Sequence, residues 1–422
     1  MDQNKYNVIG RNVRKKDVLD KVLGKAKFAA DYEMDGMLYG GVFRSNVPHG
    51  LIKNLDVSGA RDMPGVACVL THEDIPGKNR FGIIIKDEPS LVEDKVRRIG
   101  DAIALVAAES EEILEKALEK IKVEIDPLEP IFTMERALAE DAPRIHGKTN
   151  IHIKKKLRYG DVEQAFKTCD VIVENTYKTP SLSHMFIEPE AGMSYWEKGV
   201  MTVVVTTQNP HYDRNEVAAL LGMPQSKVRV IQAVTGGGFG GKLDISVQCH
   251  LALLTFHTNR PVKMERSRQE STLVSSKRHP MTMSAKTGAT GDGKLVAVKV
   301  DITADTGAYA SYGPAVATRA MVHCTGPYVV PHVSADALFY YSNNPMCGAF
   351  RGFGVPQISF CHEGQMNALA RKLDMDPVRI RLMNAHRVGS AIATGQVLEE
   401  SVGFVETIDQ ALEKSKSLMR EN

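Results

Sequence analysis

Gly236-Gly237-Gly238-Phe239-Gly240-Gly241-Lys242 sets five glycines around one phenylalanine. A backbone with so little Cβ bulk can take φ > 0 and come within hydrogen-bond distance of whatever it faces. Lys227 to Val234, just before it, is β-branched and the length of a buried strand; Asp244 to His257, just after, carries Ile245, Leu251 and Leu254 at near-helical spacing. A strand, a loop and a helix in succession would aim several N–H groups and a positive helix end at one spot, which suits a phosphate or a metal-oxo group. Three readings compete. A P-loop needs Ser or Thr after its Gly-Lys, where this chain has Leu243. Gly236-x-Gly238-x-x-Gly241 fits a dinucleotide fingerprint, with Glu265 near the place of a ribose-binding acid. The third reading is a tight turn that only packs strand against helix.

The surroundings narrow the class. At 422 residues the chain is long for one average core, which predicts two domains. With 43% hydrophobic and 25% charged residues it reads as an ordinary globular protein. A net charge of +2 recommends neither nucleic acid nor an anionic membrane as a partner. Met1 to Tyr6 has no apolar run behind it and no stretch reaches membrane-spanning length, so the expected address is cytoplasmic. Six scattered cysteines without a Cys-x-x-Cys, and thirteen histidines without a His-Glu-x-x-His, argue against iron–sulfur clusters, zinc ribbons and directly ligated metal in this chain.

Along the chain, residues 1–16 read as a polar, basic arm. Segment 17–127 alternates strands (Leu38 to Arg44, Val66 to Thr71, Ala102 to Ala108, Lys122 to Ile125) with helical pattern, notably Glu111 to Ile121 with one apolar face. Residues 128–150, marked by Pro130 and Pro143, read as a linker lying along the surface of two domains. Residues 151–422 form the second domain. Its predicted elements include a capped helix from Asp161 to Phe166, a strand from Val200 to Thr206, a helix from Asp213 to Leu221 that stops at Gly222, and a hairpin turning at Gly291-Asp292-Gly293. Helices are expected over Gln365 to Leu373, Pro377 to Asn384 and Val405 to Leu418. The fold class is α+β.

Ala349-Phe350-Arg351-Gly352-Phe353-Gly354-Val355-Pro356-Gln357 repeats the logic of the first loop and adds a permanent cation between two aromatic rings. Arginine supplies directional donors for an oxyanion, and the phenylalanines can sandwich a flat substrate. Its bland alternative is an arginine-capped turn with two core rings. Thr207-Gln208-Asn209-Pro210, Gly236 to Lys242 and Ala349 to Gln357, in this order and spacing, resemble the molybdenum-binding subunit of the xanthine dehydrogenase and aldehyde oxidase family. Arg44-Ser45, Pro48-His49-Gly50-Leu51-Ile52, Met63-Pro64-Gly65-Val66 and Val96 to Asp101 resemble its α/β-hammerhead domain. The resemblance covers nearly the whole chain.

The resemblance implies a hammerhead domain followed by the first half of a molybdopterin-binding domain. It implies that Gln208, Gly238, Phe239, Gly240 and Arg351 meet the cofactor, and that Phe353, Phe350 and Arg319 meet the substrate. The competing readings are Gln208 as a strand cap and Arg319 as a surface ion pair. Leu243 stands where purine oxidisers carry a substrate-binding glutamate, and Ala349 and Cys347 do not reproduce the copper-linked cysteine of carbon monoxide dehydrogenases. Family members usually continue through a second half that supplies a general-base glutamate, so none is expected here; of the acids and bases that remain, His184, Glu188 and Glu363, the two glutamates read as structural, Glu188 standing before Pro189 and Glu363 opening a helix. The resemblance thus implies a second molybdopterin subunit, iron–sulfur and FAD subunits carrying [2Fe-2S] clusters and flavin, and molybdopterin cytosine dinucleotide with molybdenum and a selenium ligand. The reaction it implies is hydroxylation of a nitrogen heterocycle with water-derived oxygen, nicotinate to 6-hydroxynicotinate, with NADP as final acceptor.

Overall fold

Val200-Met201-Thr202-Val203-Val204-Val205 is β-branched almost throughout, the composition of a strand buried on both faces. In the computed structural model, which describes residues 7–420, it forms the strand Val200–Val205 with its last five residues buried. The first six residues of the expected N-terminal arm lie outside the described residues. That strand belongs to a seven-stranded sheet in the order Val228–Gln232, Val200–Val205, Ala191–Glu197, Val262–Glu265, Leu38–Arg44, Ala102–Ala108, Val66–Leu70. Leu38 pairs in parallel with Val262, so strands from the N-terminal segment and from the second segment share one sheet. They also share a core: Leu38, Leu70 and Leu105 pack in one cluster with Val203, Val217 and Leu251.

A second sheet of five strands runs Val171–Thr179, Met281–Ala289, Leu295–Asp305, His332–Tyr340, Ile151–Tyr159. The helices Gly313–Val322 and Val355–Lys372 cover it, and Met283, Ile302, Phe339, Ile358 and Leu369 form its core. A three-stranded sheet of Lys95–Val96, Gly50–Asp56 and Lys122–Pro127 completes the N-terminal segment. Residues 128–150 contribute Ile131 and Ile145, both buried against Ala310, Tyr340 and Tyr341, so this connector carries a small core of its own. The mixture of helix and sheet is α+β, as its periodicities suggest.

Local signals placed several elements closely. Asp161 accepts from Gln164 N to cap the helix Val162–Phe166, and Gly222 follows the helix Pro210–Leu220 at φ 62°. The hairpin turns at Gly293, φ 94°, between Met281–Ala289 and Leu295–Asp305. Two helices depart from the expectation. The one expected over Gln365 to Leu373 begins ten residues earlier and spans Val355–Lys372, because Gly352, Phe353 and Gly354 are all left-handed and Pro356 can only sit in a first turn. Glu363 therefore lies in mid-helix rather than opening it. The helix expected from Asp244 begins at Gln248, so Leu243 to Val247 separate its N-terminus from the glycine loop. Among the described residues no helix is long and apolar enough to cross a membrane.

Candidate cofactor site

The strand Val200–Val205 delivers Thr206, Thr207 and Gln208 to the foot of the glycine loop. Gln208 N donates to Lys242 O at 2.9 Å, and its Oε1 accepts from Gly240 N at 2.9 Å and Lys242 N at 3.3 Å. The same amide explains Gly238, since a Cβ there would lie 2.5 Å from Gln208 Oε1. Gly237 and Gly240 take φ of 99° and 102°, conformations that glycine reaches without a side-chain penalty. Phe239 takes φ 55° without that freedom and is 47% exposed as a residue.

A buried ion pair holds the loop from below. Lys242 is 1% exposed, and its Nζ donates to Glu188 O (2.8 Å), Glu188 Oε2 (2.9 Å) and Thr206 Oγ1 (2.8 Å), with the Phe186 ring centroid 4.6 Å away. Glu188 Oε2 also accepts from Gly236 N at 2.6 Å and from the Thr206 hydroxyl at 2.8 Å. Burial lowers the Lys242 pKa, and the Glu188 carboxylate opposes that shift. The sequence presents Lys242 only as part of a failed P-loop; the acceptor that gives it a purpose lies 54 residues upstream.

The second glycine-aromatic block closes on the first. Arg351 N donates to Phe239 O at 2.8 Å, and a Cβ on Gly240 would lie 2.7 Å from Ala349 O. His184 Nε2 bonds Ala349 O at 2.7 Å, and its ring stacks on Phe350 with centroids 4.1 Å apart. Burial pushes the His184 imidazole down to about 4, so it is neutral near pH 7 and Nε2 carries the donated proton. The Arg278 guanidinium carbon lies 3.8 Å from the same Phe350 centroid. Two groups so close to one centroid occupy opposite faces, which leaves Phe350 only an edge to offer a substrate. Phe353, half-buried, meets Tyr312 edge-on at 5.4 Å.

Other candidates divide clearly. Arg351 is exposed, and its guanidinium has no partner among the described residues. Arg319 is likewise exposed, on a helix whose Val316 and Ala320 back onto Gly354. Glu363 accepts from Tyr328 and Arg381; burial alone would raise its carboxyl, but those hydrogen bonds and one from His362 hold it at about 2. Such a group is a structural anion. The dinucleotide reading fails on geometry, because its third glycine should open the helix and here the helix begins seven residues after Gly241.

The arrangement suits a pterin-bound metal-oxo group on the structure's own terms. The N–H groups of Gly237, Gly238 and Phe239 make no hydrogen bond among the described residues, and neither does Gln208 Nε2 on an exposed side chain. Successive unpaired backbone donors, an amide N–H₂ and an unpaired guanidinium form a donor-rich, glycine-lined surface for anionic oxygens.

The comparisons agree with this chemistry. A family model described as molybdopterin cofactor-binding domain matches residues 145–385, and one described as the aldehyde oxidase and xanthine dehydrogenase a/b hammerhead domain matches 23–129. The chain is 67% identical over 415 residues to the nicotinate dehydrogenase large molybdopterin subunit of Eubacterium barkeri, covering 98% of both. It is 35% identical over 390 residues to the xanthine dehydrogenase molybdenum-binding subunit of Escherichia coli O157:H7, covering 89% of this chain and 52% of that one. The aldehyde oxidoreductase structure from Desulfovibrio gigas superposes with a TM-score of 0.92 at 32% identity, covering 96% of this chain and 46% of that one. The chain thus spans nearly all of the first relative and about half the length of the other two. By sequence, fold and site, it belongs to the xanthine dehydrogenase and aldehyde oxidase family, as a molybdopterin-binding subunit of an oxidoreductase.

Proposed function

We propose that this chain is the large molybdopterin subunit of a hydroxylase that converts nicotinate to 6-hydroxynicotinate with oxygen from water and NADP as final acceptor. One observation carries the reading: the two glycine-aromatic blocks and Gln208 converge on one donor-rich surface, in a chain 67% identical to a nicotinate dehydrogenase subunit along its length. Within it, Gln208 Nε2 and the free N–H groups of Gly238 and Phe239 bind the oxo and pterin end of the cofactor. Gly240 lets the loop backbone approach, and Arg351 neutralises anionic oxygen beside it. Phe353 stacks on the heteroaromatic ring, Phe350 meets it by an edge, and Arg319 faces its charged substituent. Molybdopterin cytosine dinucleotide, with molybdenum and a selenium ligand, supplies the two-electron oxidation when bound. The general-base glutamate belongs to a second molybdopterin subunit, and the electrons leave through partner subunits carrying [2Fe-2S] clusters and FAD. The chain's division at 17–127, 128–150 and 151–422 and its cytoplasmic location are part of the same proposal.

The test uses the natively assembled complex, with nicotinate and NADP followed by absorbance. Turnover is expected, and Phe353→Ala should raise KM for nicotinate while molybdenum content holds. A complex that carries molybdenum, is inert toward nicotinate and turns over another heterocycle would overturn the substrate but keep the site.

A further inference from the structure

Behind the glycine loop, where the N-terminal segment meets the second, lies a cavity of about 40 Å³. Gly241 forms part of its wall. Seven lining side chains, each more than nine-tenths buried, have a polar atom without a well-formed hydrogen bond among the described residues: Ser90 Oγ, Arg98 Nε, Glu190 Oε2, His250 Nδ1, Arg266 Nε, and Asp244 Oδ2 and Ser276 Oγ, whose side chains lie close enough to interact with each other. Buried polar groups are satisfied in native proteins almost without exception, so this many under-satisfied atoms around one dry space would be an unusual burden on a marginally stable fold.

The chemistry of the wall selects the occupant. Arg266 Nε is a donor, Glu190 Oε2 and Asp244 Oδ2 accept, and both serine hydroxyls do either. An anion would be drawn to Arg266 and repelled by the two carboxylates; a cation would meet the reverse. Most charges of the wall are already paired, Arg266 with Glu190 at 3.1 Å, Arg44 with Glu270 at 2.7 Å and Arg98 with Glu88 at 3.2 Å, so the wall offers no uncompensated cation to an anion. Water alone serves both kinds of atom, and at roughly 10–15 Å³ per molecule the space takes about three.

We propose that this cavity is a built water site, whose ordered molecules join the N-terminal segment to the underside of the glycine loop. Its placement gives it a purpose. Glu190 stands two residues beyond Glu188 and Asp244 two residues beyond Lys242, so the chain that supplies the loop's ion pair also supplies the water ligands. Asp244 is fixed in turn by Ser311, whose hydroxyl donates to its Oδ1 at 2.8 Å. The water cluster completes the hydrogen bonding where Gly241 lines the cavity, in a region where an apolar core would leave these polar groups unmatched.

A density map of the assembled protein, at a resolution that shows solvent, should contain peaks within hydrogen-bond distance of Asp244 Oδ2, Glu190 Oε2 and Arg266 Nε. An empty cavity would overturn the proposal, and so would an anomalous bromide peak there after soaking, which would mark an anion site. Thermal unfolding gives a second reading. Ser276→Val adds apolar volume, so in a wet cavity it displaces water and lowers Tm by about 2–4 °C; in a dry one it fills space and raises Tm. Ser276→Ala, which adds no bulk, should stay near wild type because solvent replaces the hydroxyl, and a large fall there would assign the serine a direct protein partner instead.

Discussion

The two glycine-aromatic blocks meet at one hydrogen bond yet are held by different physics. The Gly236 to Lys242 loop rests on a buried charge pair and on one side-chain amide, Gln208, that accepts two of its N–H groups. The Ala349 to Gln357 block rests on ring packing and on hydrogen bonds spread along it: His184 and Arg278 clamp Phe350 and bond Ala349 O, Arg351 O and Gln357, and Tyr312 abuts Phe353. Charge fixes a loop sharply but fails when one partner is lost, since the remaining ion stays buried and unmatched. Packing spreads the same task over several contacts and gives way by degrees. The first block should therefore be brittle and the second tolerant.

The largest effect should come from Lys242→Met, which strands the Glu188 carboxylate in the interior and should cost about 3–5 kcal/mol in chemical denaturation. The pair Glu188→Gln with Lys242→Met should recover much of that loss; no recovery would mean that the anchor is not an ion pair. Next, Gly240→Ala adds a Cβ 2.7 Å from Ala349 O at φ 102°. Its expected cost is about 1–3 kcal/mol, with a loss of molybdenum from the purified complex.

Removing the clamp on the second block should matter less. His184→Gln keeps a donor for Ala349 O but loses the stack on Phe350, with an expected cost of about 0.5–1.5 kcal/mol. The pH dependence sharpens this test. The folded imidazole lies at about 4, below its ordinary 6.5, so the unfolded chain takes up a proton first and wild type loses this contribution as pH falls from 6.5 through 4. The variant has no such group, and its deficit should shrink over that window; a constant deficit would mean the histidine is not held neutral. The smallest effect belongs to Arg319→Ala. An exposed guanidinium with no hydrogen bond or ion pair among the described residues should change stability by less than about 0.5 kcal/mol, so any rise in KM could be assigned to substrate.

Much of the fold was legible because it rests on local signals. Val200 to Val205 reads as a strand from its β-branching, and Asp161, Gly222 and Gly293 mark ends that the structure keeps. The start of the helix Val355–Lys372 was hidden by the left-handed run Gly352 to Gly354, which looks like continuing loop. The shared seven-stranded sheet was hidden for another reason: Leu38 and Val262 lie far apart in sequence, and nothing local announces their pairing. In the site, glycine spacing exposed both blocks. It could not expose Glu188 as the partner of Lys242, nor His184 as the clamp of the second block, since each acts through a long-range contact to an otherwise unremarkable residue.

If these two blocks and Gln208 together hold a molybdenum cofactor, the metal should travel with them. Elemental analysis of the complex purified natively through this chain tests that most directly. Stoichiometric molybdenum in the wild type, lost on Gly240→Ala in complexes that remain assembled, is the expected result. A correctly assembled wild-type complex without molybdenum, or a Gly240→Ala complex that keeps its full content, would contradict it.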